Sequence, residues 1–408
     1  MGDILFLAHR IPFPPDRGDK IRSHHVLKAL AQLAPVHVAT FADDEDDHRW
    51  EADLAAICAT HCLVERRKPL ALAGVESLLT RRPLSLAAFD DKRLRAYVHD
   101  TLTRCSIDVI YVFSGQMAQY VPEGFTGRVV TDLVDVDSAK FEAYGTQGSG
   151  FRAWMERREA RLLGAEEARA TASSAVTLLI SEAEANLLRS RLAAGHGRVC
   201  AMGNGMDAAF FDPALVSPEP RLLEAGGPRI VFTGQMDYAP NIAAVTRAIE
   251  RILPRVRDRF PDASFHVVGR NPPPALMARH GQGGVNVWGR VEDVRVWLKG
   301  ADIALVPLEI ARGVQNKVLE AMAMELPVVL SSGAATGIDA HDGVHFLIGE
   351  CDRSLADAVI AVAQDSARGR QLGRDARAWI MAHASWPAAL ARLPHYCGYS
   401  QGRLDHAA

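Results

Sequence analysis

The 408-residue sequence contains no apolar run approaching the ~20 residues that a membrane-spanning helix needs. Its start, Met1-Gly2-Asp3, lacks the basic segment of an export signal, and Ile4–Ala8 is too short for the apolar core of one. It also lacks a charge excess. Lys and Arg total 46 against 49 Asp and Glu, a formal net charge of −3. A chain whose main partner is nucleic acid normally shows a basic surplus, so that class is set aside. There is no low-complexity tract and no sequence repeat. The six cysteines are scattered. Cys58 and Cys62 are four apart, a spacing that suits one helix face better than a redox or zinc pair. With no export signal, the reading expects reduced cysteines in a cytoplasmic protein. A GxGxxG fingerprint is also missing, which argues against a nicotinamide dehydrogenase.

Apolar residues make up 48% and charged residues 23%, enough for two ordinary hydrophobic cores. Short β-rich runs alternate with helical stretches: Ile4–Ala8, Val36–Phe41, Asp108–Phe113, Arg128–Leu133 and Val176–Ile180. A second series follows residue 226: Arg229–Thr233, Ser264–Val268, Asn286–Trp288, Ile303–Pro307 and Pro327–Leu330. Continuous apolar strands separated by helices indicate parallel sheets covered on both faces. Two such series predict an α/β protein of two doubly wound, Rossmann-like domains. The Pro/Gly-rich stretch 213–228 is a linker candidate. The expected division is residues 1–220, residues 221–385 and a helical tail, 386–408, that returns to the first domain.

Ligands of doubly wound sheets bind beyond the carboxyl ends of the strands, so the post-strand segments carry the candidates. After the first strand, prolines stiffen the run His9–Arg22, Gly18 permits close backbone approach, and a helix opens near Asp19 with Lys20 and Arg22 behind it. Asp19 serves equally well as a cap. The run Thr131–Ser138 places Asp132, Asp135 and Asp137 at the end of a buried strand, where carboxylates are costly unless used. Capping, a substrate role or a metal-binding Asp-Val-Asp all fit it. Ser181 and Glu184 form a capping-box pattern. Gly234 and Gln235 follow the first strand of the second series. The richest segment is Pro307–Ala323, in which Arg312, Gly313, Val314, Lys317 and Glu320 surround a helix start. Amides there, with Arg and Lys, suit a diphosphate, and Glu320 suits the vicinal hydroxyls of a ribose. Lys317 and Glu320 are also spaced to pair with each other.

These residues resemble a family, the GT-B retaining glycosyltransferases of family 4 (glycosyltransferase group 1). The matches run in order: the Pro-x-Pro-Pro-x-x-Gly18 loop, Asn204-Gly205-Met206-Asp207 with Phe211 and Pro213, Gly234 to Pro240-Asn241, Gly289-Arg290-Val291, Ala301-Asp302, and Lys317-Val-Leu-Glu320-Ala-Met-Ala. More narrowly, the Pro12–Arg22 loop, Asp132–Ser138 and Ala311–Lys317 resemble sugar transferases that accompany exosortase/PEP-CTERM exopolysaccharide loci.

The resemblance implies a GT-B fold whose two domains face a central cleft. The carboxyl-terminal domain would hold a UDP- or GDP-linked sugar. The amino-terminal domain would offer a glycan or lipid-linked acceptor near Asp19, Lys20 and Arg22. It implies Glu320 at the ribose, amides of Gly313 and Val314 at the diphosphate, Arg290 near the base, and donor contacts from Gly18, Gly234 and Gln235. Family members usually carry an acidic residue eight positions before the one matched by Glu320; here that position is Arg312. Arg and Lys usually stand where this chain has Gln235 and Pro240-Asn241. Arg312 and Lys317 are therefore expected to supply the positive charge, with Asp135 and Asp137 standing where a family His often lies. The resemblance implies a hexosyl transferase that retains anomeric configuration, without metal or cofactor. A nucleotide-sugar epimerase of the same fold and a non-catalytic nucleotide-sugar binder are the alternatives. The segment Phe151–Arg169 carries Arg152, Arg157, Arg158 and Arg161, a set suited to an anionic lipid surface on the inner face of a membrane. Its Glu156, Glu159, Glu166 and Glu167 suit a solvated, salt-bridged face better.

Overall fold

The computed structural model describes residues 2–147, 150–193, 197–309 and 314–399. The chain divides into two compact units: Met1–Asn204 with the segment from Ala389 onward, and Gly205–Ala388. Residues 213–228 thus lie inside the second unit, where Pro220–Leu223 forms a short helix.

The first unit is built on a seven-stranded parallel sheet. Its strands are β1 (Asp3–Ala8), β2 (Val36–Ala42), β3 (Thr60–Glu65), β4 (Ile107–Phe113), β5 (Arg128–Val134), β6 (Val176–Leu179) and β7 (Val199–Ala201), in the spatial order β3-β2-β1-β4-β5-β6-β7. The order reverses between β1 and β4, where the chain leaves one edge and resumes beside its first strand. Ile4 to Ala8 are fully buried, as expected of a central strand covered by helices on both faces. The helix Gly18–Ala31 follows β1 and buries Val26, Leu27 and Leu30. The carboxyl-terminal segment packs on this unit through Tyr396, whose carbonyl accepts from Arg128 Nε at 2.5 Å.

The second unit carries a six-stranded parallel sheet: β8 (Arg229–Thr233), β9 (Ser264–Val268), β10 (Val285–Gly289), β11 (Ile303–Val306), β12 (Val328–Leu330) and β13 (Leu347–Ile348). The order is β10-β9-β8-β11-β12-β13, so its reversal falls between β8 and β11. The helices Ala239–Arg247, Val294–Gly300, Asn316–Ala323 and Asp352–Gln364 bury Val245, Trp297, Met322 and Val359 in its core.

Three strands escape the apolar-run signal, and each is an outer or near-outer one. β3 reads Thr-His-Cys-Leu-Val-Glu and is mostly half-exposed, while β7 and β13 are only three and two residues long. The helix-face reading of the cysteine pair is corrected here. Cys62 lies within β3, whereas Cys58 follows the helix Glu51–Ala55 and donates its thiol to Leu54 O at 3.1 Å. Burial pushes the Cys58 thiol up to about 11, the mark of an inert structural thiol.

Candidate functional site

In the second unit the crevice at a strand-order reversal is the expected ligand position. β8 ends at Thr233 and runs into Gly234; β11 leads to the helix Asn316–Ala323. Gly234 has φ +151°, a conformation that side chains rarely adopt. A Cβ there would lie 2.9 Å from Asn241 Nδ2 and 3.3 Å from Lys317 Nζ. Gly269, just after β9, leaves room for this turn, since a Cβ on it would fall 1.5 Å from Gly234 O. Gly234→Ala is expected to cost about 1–3 kcal/mol of stability in denaturant unfolding and to push the Lys317 side chain off its seat.

Lys317 is seated by two contacts. Its Nζ donates to Asn241 Oδ1 at 2.6 Å and stands 4.8 Å from the centroid of the Phe232 ring. Asn241 is buried and anchored in turn, its Nδ2 donating to the Gln235 carbonyl at 2.8 Å. Burial lowers the Lys317 ammonium to about 8, against the pull of Glu320. Glu320 lies one turn further along the same helix face. Burial raises its carboxyl above the usual range, with Lys317 opposing. The two do not form an ion pair. Lys317 goes to Asn241, and the Glu320 carboxylate has no hydrogen-bond or ion-pair partner among the described residues. A partly buried, unpartnered carboxylate beside a partly desolvated ammonium is the signature of a site prepared for a ligand.

The other candidates of this unit are dispersed around that pair. Gln235 is exposed and contributes its carbonyl. Arg290 is exposed just after β10, following Gly289 at φ +71°, two strands away from β8 on the same carboxyl-terminal edge. Val314 is exposed, with its Cγ2 3.1 Å from where a Cβ on Gly337 would sit. Arg312 and Gly313 lie outside the described residues. A separate cavity of about 340 Å³, lined by Arg221, Asp262, Ser264 and Trp288, opens near the amino-terminal ends of β9 and β10, at the wrong edge for this chemistry.

In the first unit the segment after β1 is held by a charge network. Arg10 donates to Asp19 Oδ2 and to Asp43 Oδ2, each at 2.6 Å. Burial alone would raise the Asp19 carboxyl, but hydrogen bonds from His9 and Arg10 outweigh it and hold the group well below the usual carboxylate range. Gly18 begins the helix, and a Cβ on it would meet nothing within 4 Å. Lys20 is buried and donates to Phe13 O at 2.9 Å and Asp47 Oδ1 at 2.5 Å. A cavity of about 460 Å³ lies beside it, lined by Asp16, Arg17, Asp44 and Trp50 among others.

Arg22 is 1% exposed. It grips Asp132 through Nε at 3.0 Å and Nη2 at 3.2 Å, and reaches Asn204 Oδ1 at 2.9 Å; Tyr111 adds its hydroxyl to Asp132 at 2.9 Å. Arg22→Ala would leave Asp132 buried and unpaired. It is expected to cost about 3–5 kcal/mol, measured by denaturant unfolding. Asp135 and Asp137 converge on Lys140 Nζ, at 2.8 and 3.2 Å, at the start of the helix Asp137–Gln147.

Sequence reasoning missed three contributors. Gly269 carried a signal, a glycine directly after a strand. Asn241 was noted at the end of the matched Gly234 to Pro240-Asn241 segment and as a departure from the usual lysine, but not as the residue that holds Lys317. His9 stacks on Phe113 at 5.8 Å and sits 3.4 Å from Asp19, with its Nδ1 buried and unpartnered; its place directly after β1 was the available signal.

Residues 227–365 match the family described as Glycosyl transferases group 1, and that match supports a glycosyltransferase. No curated protein matches the chain. Solved structures share the fold over almost the whole length. HepE from Anabaena in complex with UDP has a TM-score of 0.59 at 14% identity, covering 98% of this chain and 100% of that one. Sucrose-phosphate synthase from Thermosynechococcus elongatus has a TM-score of 0.55 at 16% identity, covering 97% and 98%. WaaG, a glycosyltransferase involved in lipopolysaccharide biosynthesis, has a TM-score of 0.53 at 17% identity, covering 97% and 100%. The fold is therefore that of the two-domain GT-B proteins.

Proposed function

We propose that the protein is a retaining glycosyltransferase that takes a sugar from a nucleotide diphosphate donor, UDP- or GDP-linked, to a glycan or lipid-linked acceptor in exopolysaccharide assembly. The observation that carries this reading is the pair at the β8/β11 reversal. A partly desolvated ammonium stands over a glycine turn, with an unpartnered carboxylate one helical turn away. Diphosphate chemistry matches the first and ribose hydroxyls match the second. The family match over residues 227–365 supports it, as does the UDP bound in the HepE structure.

In this reading Lys317 meets the leaving phosphate, Glu320 accepts from the ribose hydroxyls, and Arg290 lies toward the base. Arg312 and the amides of Gly313 and Val314 complete the phosphate contacts. The C1–O bond to the diphosphate breaks, and its electron pair stays on the phosphate. The acceptor oxygen bonds to C1 from the same face, and its proton passes to the departing phosphate. Lys317 stabilises charge that grows on that phosphate. Gly18 is a donor contact, Asp135 and Asp137 act in catalysis, and the acceptor meets the first unit at the surface that carries Asp19. Lys20 and Arg22 hold that surface from beneath.

The test is incubation of the protein with UDP- and GDP-sugars, with and without glycan acceptors. Free nucleotide diphosphate and a product of retained anomeric configuration are expected. An epimerised donor formed without acceptor would replace this reading, and so would tight donor binding without turnover. Turnover is expected to persist in excess chelator; loss that a divalent metal restored would assign a role to metal.

Donor binding is also expected to depend on pH in a defined direction. The Lys317 ammonium is present below about 8 and lost above it. A bound diphosphate favours the charged form. Binding above pH 8 should therefore take up protons, read by calorimetry in buffers of different ionisation enthalpy.

A further inference from the structure

The amino-terminal edge of the first sheet, opposite to the edge that carries Asp19, gathers three side chains that lie far apart in the sequence. Asp3 opens β1, His37 lies at the amino end of β2, and Cys105 ends the helix Lys92–Arg104 two residues before β4. β1 lies between β2 and β4, so the starts of three adjacent strands meet there. A carboxylate oxygen of Asp3, an imidazole nitrogen of His37 and the Cys105 sulfur all lie within 4.8 Å of one another. Among the described residues this is the one group of three such side chains so placed.

The imidazole is buried and its orientation is fixed. His37 Nδ1 lies 2.8 Å from Thr60 Oγ1, which in turn lies 2.6 Å from the Tyr97 hydroxyl. Nε2 faces Asp3 Oδ2 at 2.9 Å. Metal-ligating histidines are held in this way, with one ring nitrogen hydrogen-bonded to the protein and the other turned to the ion. A simple ion pair between His37 and Asp3 accounts for two members of the group and leaves the third unexplained. Cys105 is half-buried, and its thiol has no hydrogen-bond partner among the described residues.

We propose that Asp3, His37 and Cys105 bind a zinc ion, with water in the fourth position. The donor set selects the metal. One nitrogen, one carboxylate oxygen and one thiolate suit tetrahedral Zn²⁺, whereas Ca²⁺ and Mg²⁺ take oxygen ligands. Zinc bonds of about 2.0–2.3 Å place tetrahedral ligands roughly 3.3–3.8 Å apart, so side-chain rotations that move the donors by about 1 Å close the site. Thiolate and carboxylate together balance the charge of the ion, and the thiol proton is released on binding. The ion clips together strand starts from distant parts of the chain, which gives it a structural role. It sits away from the carboxyl-terminal edge of the sheet, so the expectation of turnover in excess chelator stands.

The test is titration of the full chain with Co²⁺ and then Zn²⁺ in the presence of a phosphine reductant. One equivalent is expected to bind. Cobalt should give the visible bands of a tetrahedral site and a near-ultraviolet thiolate-to-cobalt band, both bleached by zinc. Cys105→Ser should remove the thiolate band and weaken binding by more than about 100-fold, and Thr60→Val, which only frees the His37 ring, by about 10–100-fold. Zinc at about 100 times its Kd should raise the melting midpoint of the parent by roughly 5–10 °C, and that of Cys105→Ser by less than about 2 °C. Asp3 is partly exposed at the start of its strand. Asp3→Asn should weaken zinc binding at least about tenfold and stands as the test if the cysteine variant fails to fold. Absence of stoichiometric binding would overturn the proposal. So would a cobalt complex without the thiolate band, or one that neither Cys105→Ser nor Asp3→Asn changes.

Discussion

Replacing Lys317 with methionine is expected to lower kcat for sugar transfer by ~10²-fold or more, with a smaller change in KM. The split follows from where the charge is needed. The diphosphate of a bound donor already carries negative charge, so the lysine contributes to binding. The phosphate gains further charge as the C1–O bond breaks, and a fixed ammonium stabilises that state more than the ground state. The geometry makes the effect specific to this side chain. Asn241 and the Phe232 ring hold the ammonium over Gly234, and no flexible surface lysine would be seated in that way. The same substitution should act oppositely on the unliganded protein. Burial drops the Lys317 ammonium from 10.5 to about 8, so its charged form is disfavoured in the fold. Below about 8 both folded and unfolded chains carry the proton, and the folded chain bears the cost. Between about 8 and 10.5 the unfolded chain binds more protons, so this group's contribution to stability rises with pH. At neutral pH the methionine variant should therefore melt no lower than the parent while losing turnover, which separates a functional role from a structural one.

Glu320→Gln is expected to raise KM for the donor by roughly 10- to 150-fold, the range of a charged hydrogen bond lost, and to change kcat less. The carboxylate has no partner in the described protein, so its replacement breaks no internal bond. A fall in stability with unchanged KM would assign Glu320 to packing. Donors that lack a ribose hydroxyl should lose affinity for the parent protein and show little further loss with the variant.

The strands β1, β4, β5, β8 and β9 were legible because central parallel strands read as unbroken apolar runs. β3, β7 and β13 were not, because an outer strand needs neither that length nor that apolarity. Glu320 and Lys317 could be found because a single strand-to-helix segment carries both. The clasp between Lys317 and Asn241 spans 76 residues, and nothing local announces it. Arg22 and Asp132 illustrate the same limit. The sequence offered one as an acceptor contact and the other as a costly carboxylate at a strand end. The fold shows that each is the reason the other can be buried. The helix Leu70–Thr80, which leaves Leu70, Leu72, Val75, Leu78 and Leu79 exposed, was likewise invisible, since an apolar helix reads as core until its neighbours are known.

The central claim is that the β8/β11 reversal holds the diphosphate of a nucleotide-linked sugar. It is tested most directly by calorimetric titration of UDP, GDP and the matching nucleosides into the parent protein and into Lys317→Met. The account predicts that one diphosphate binds at a single site, at least about tenfold more tightly than its nucleoside, and that the methionine variant abolishes that advantage while leaving nucleoside affinity unchanged. Equal affinity for diphosphate and nucleoside, or a diphosphate advantage that survives the loss of Lys317, would contradict it.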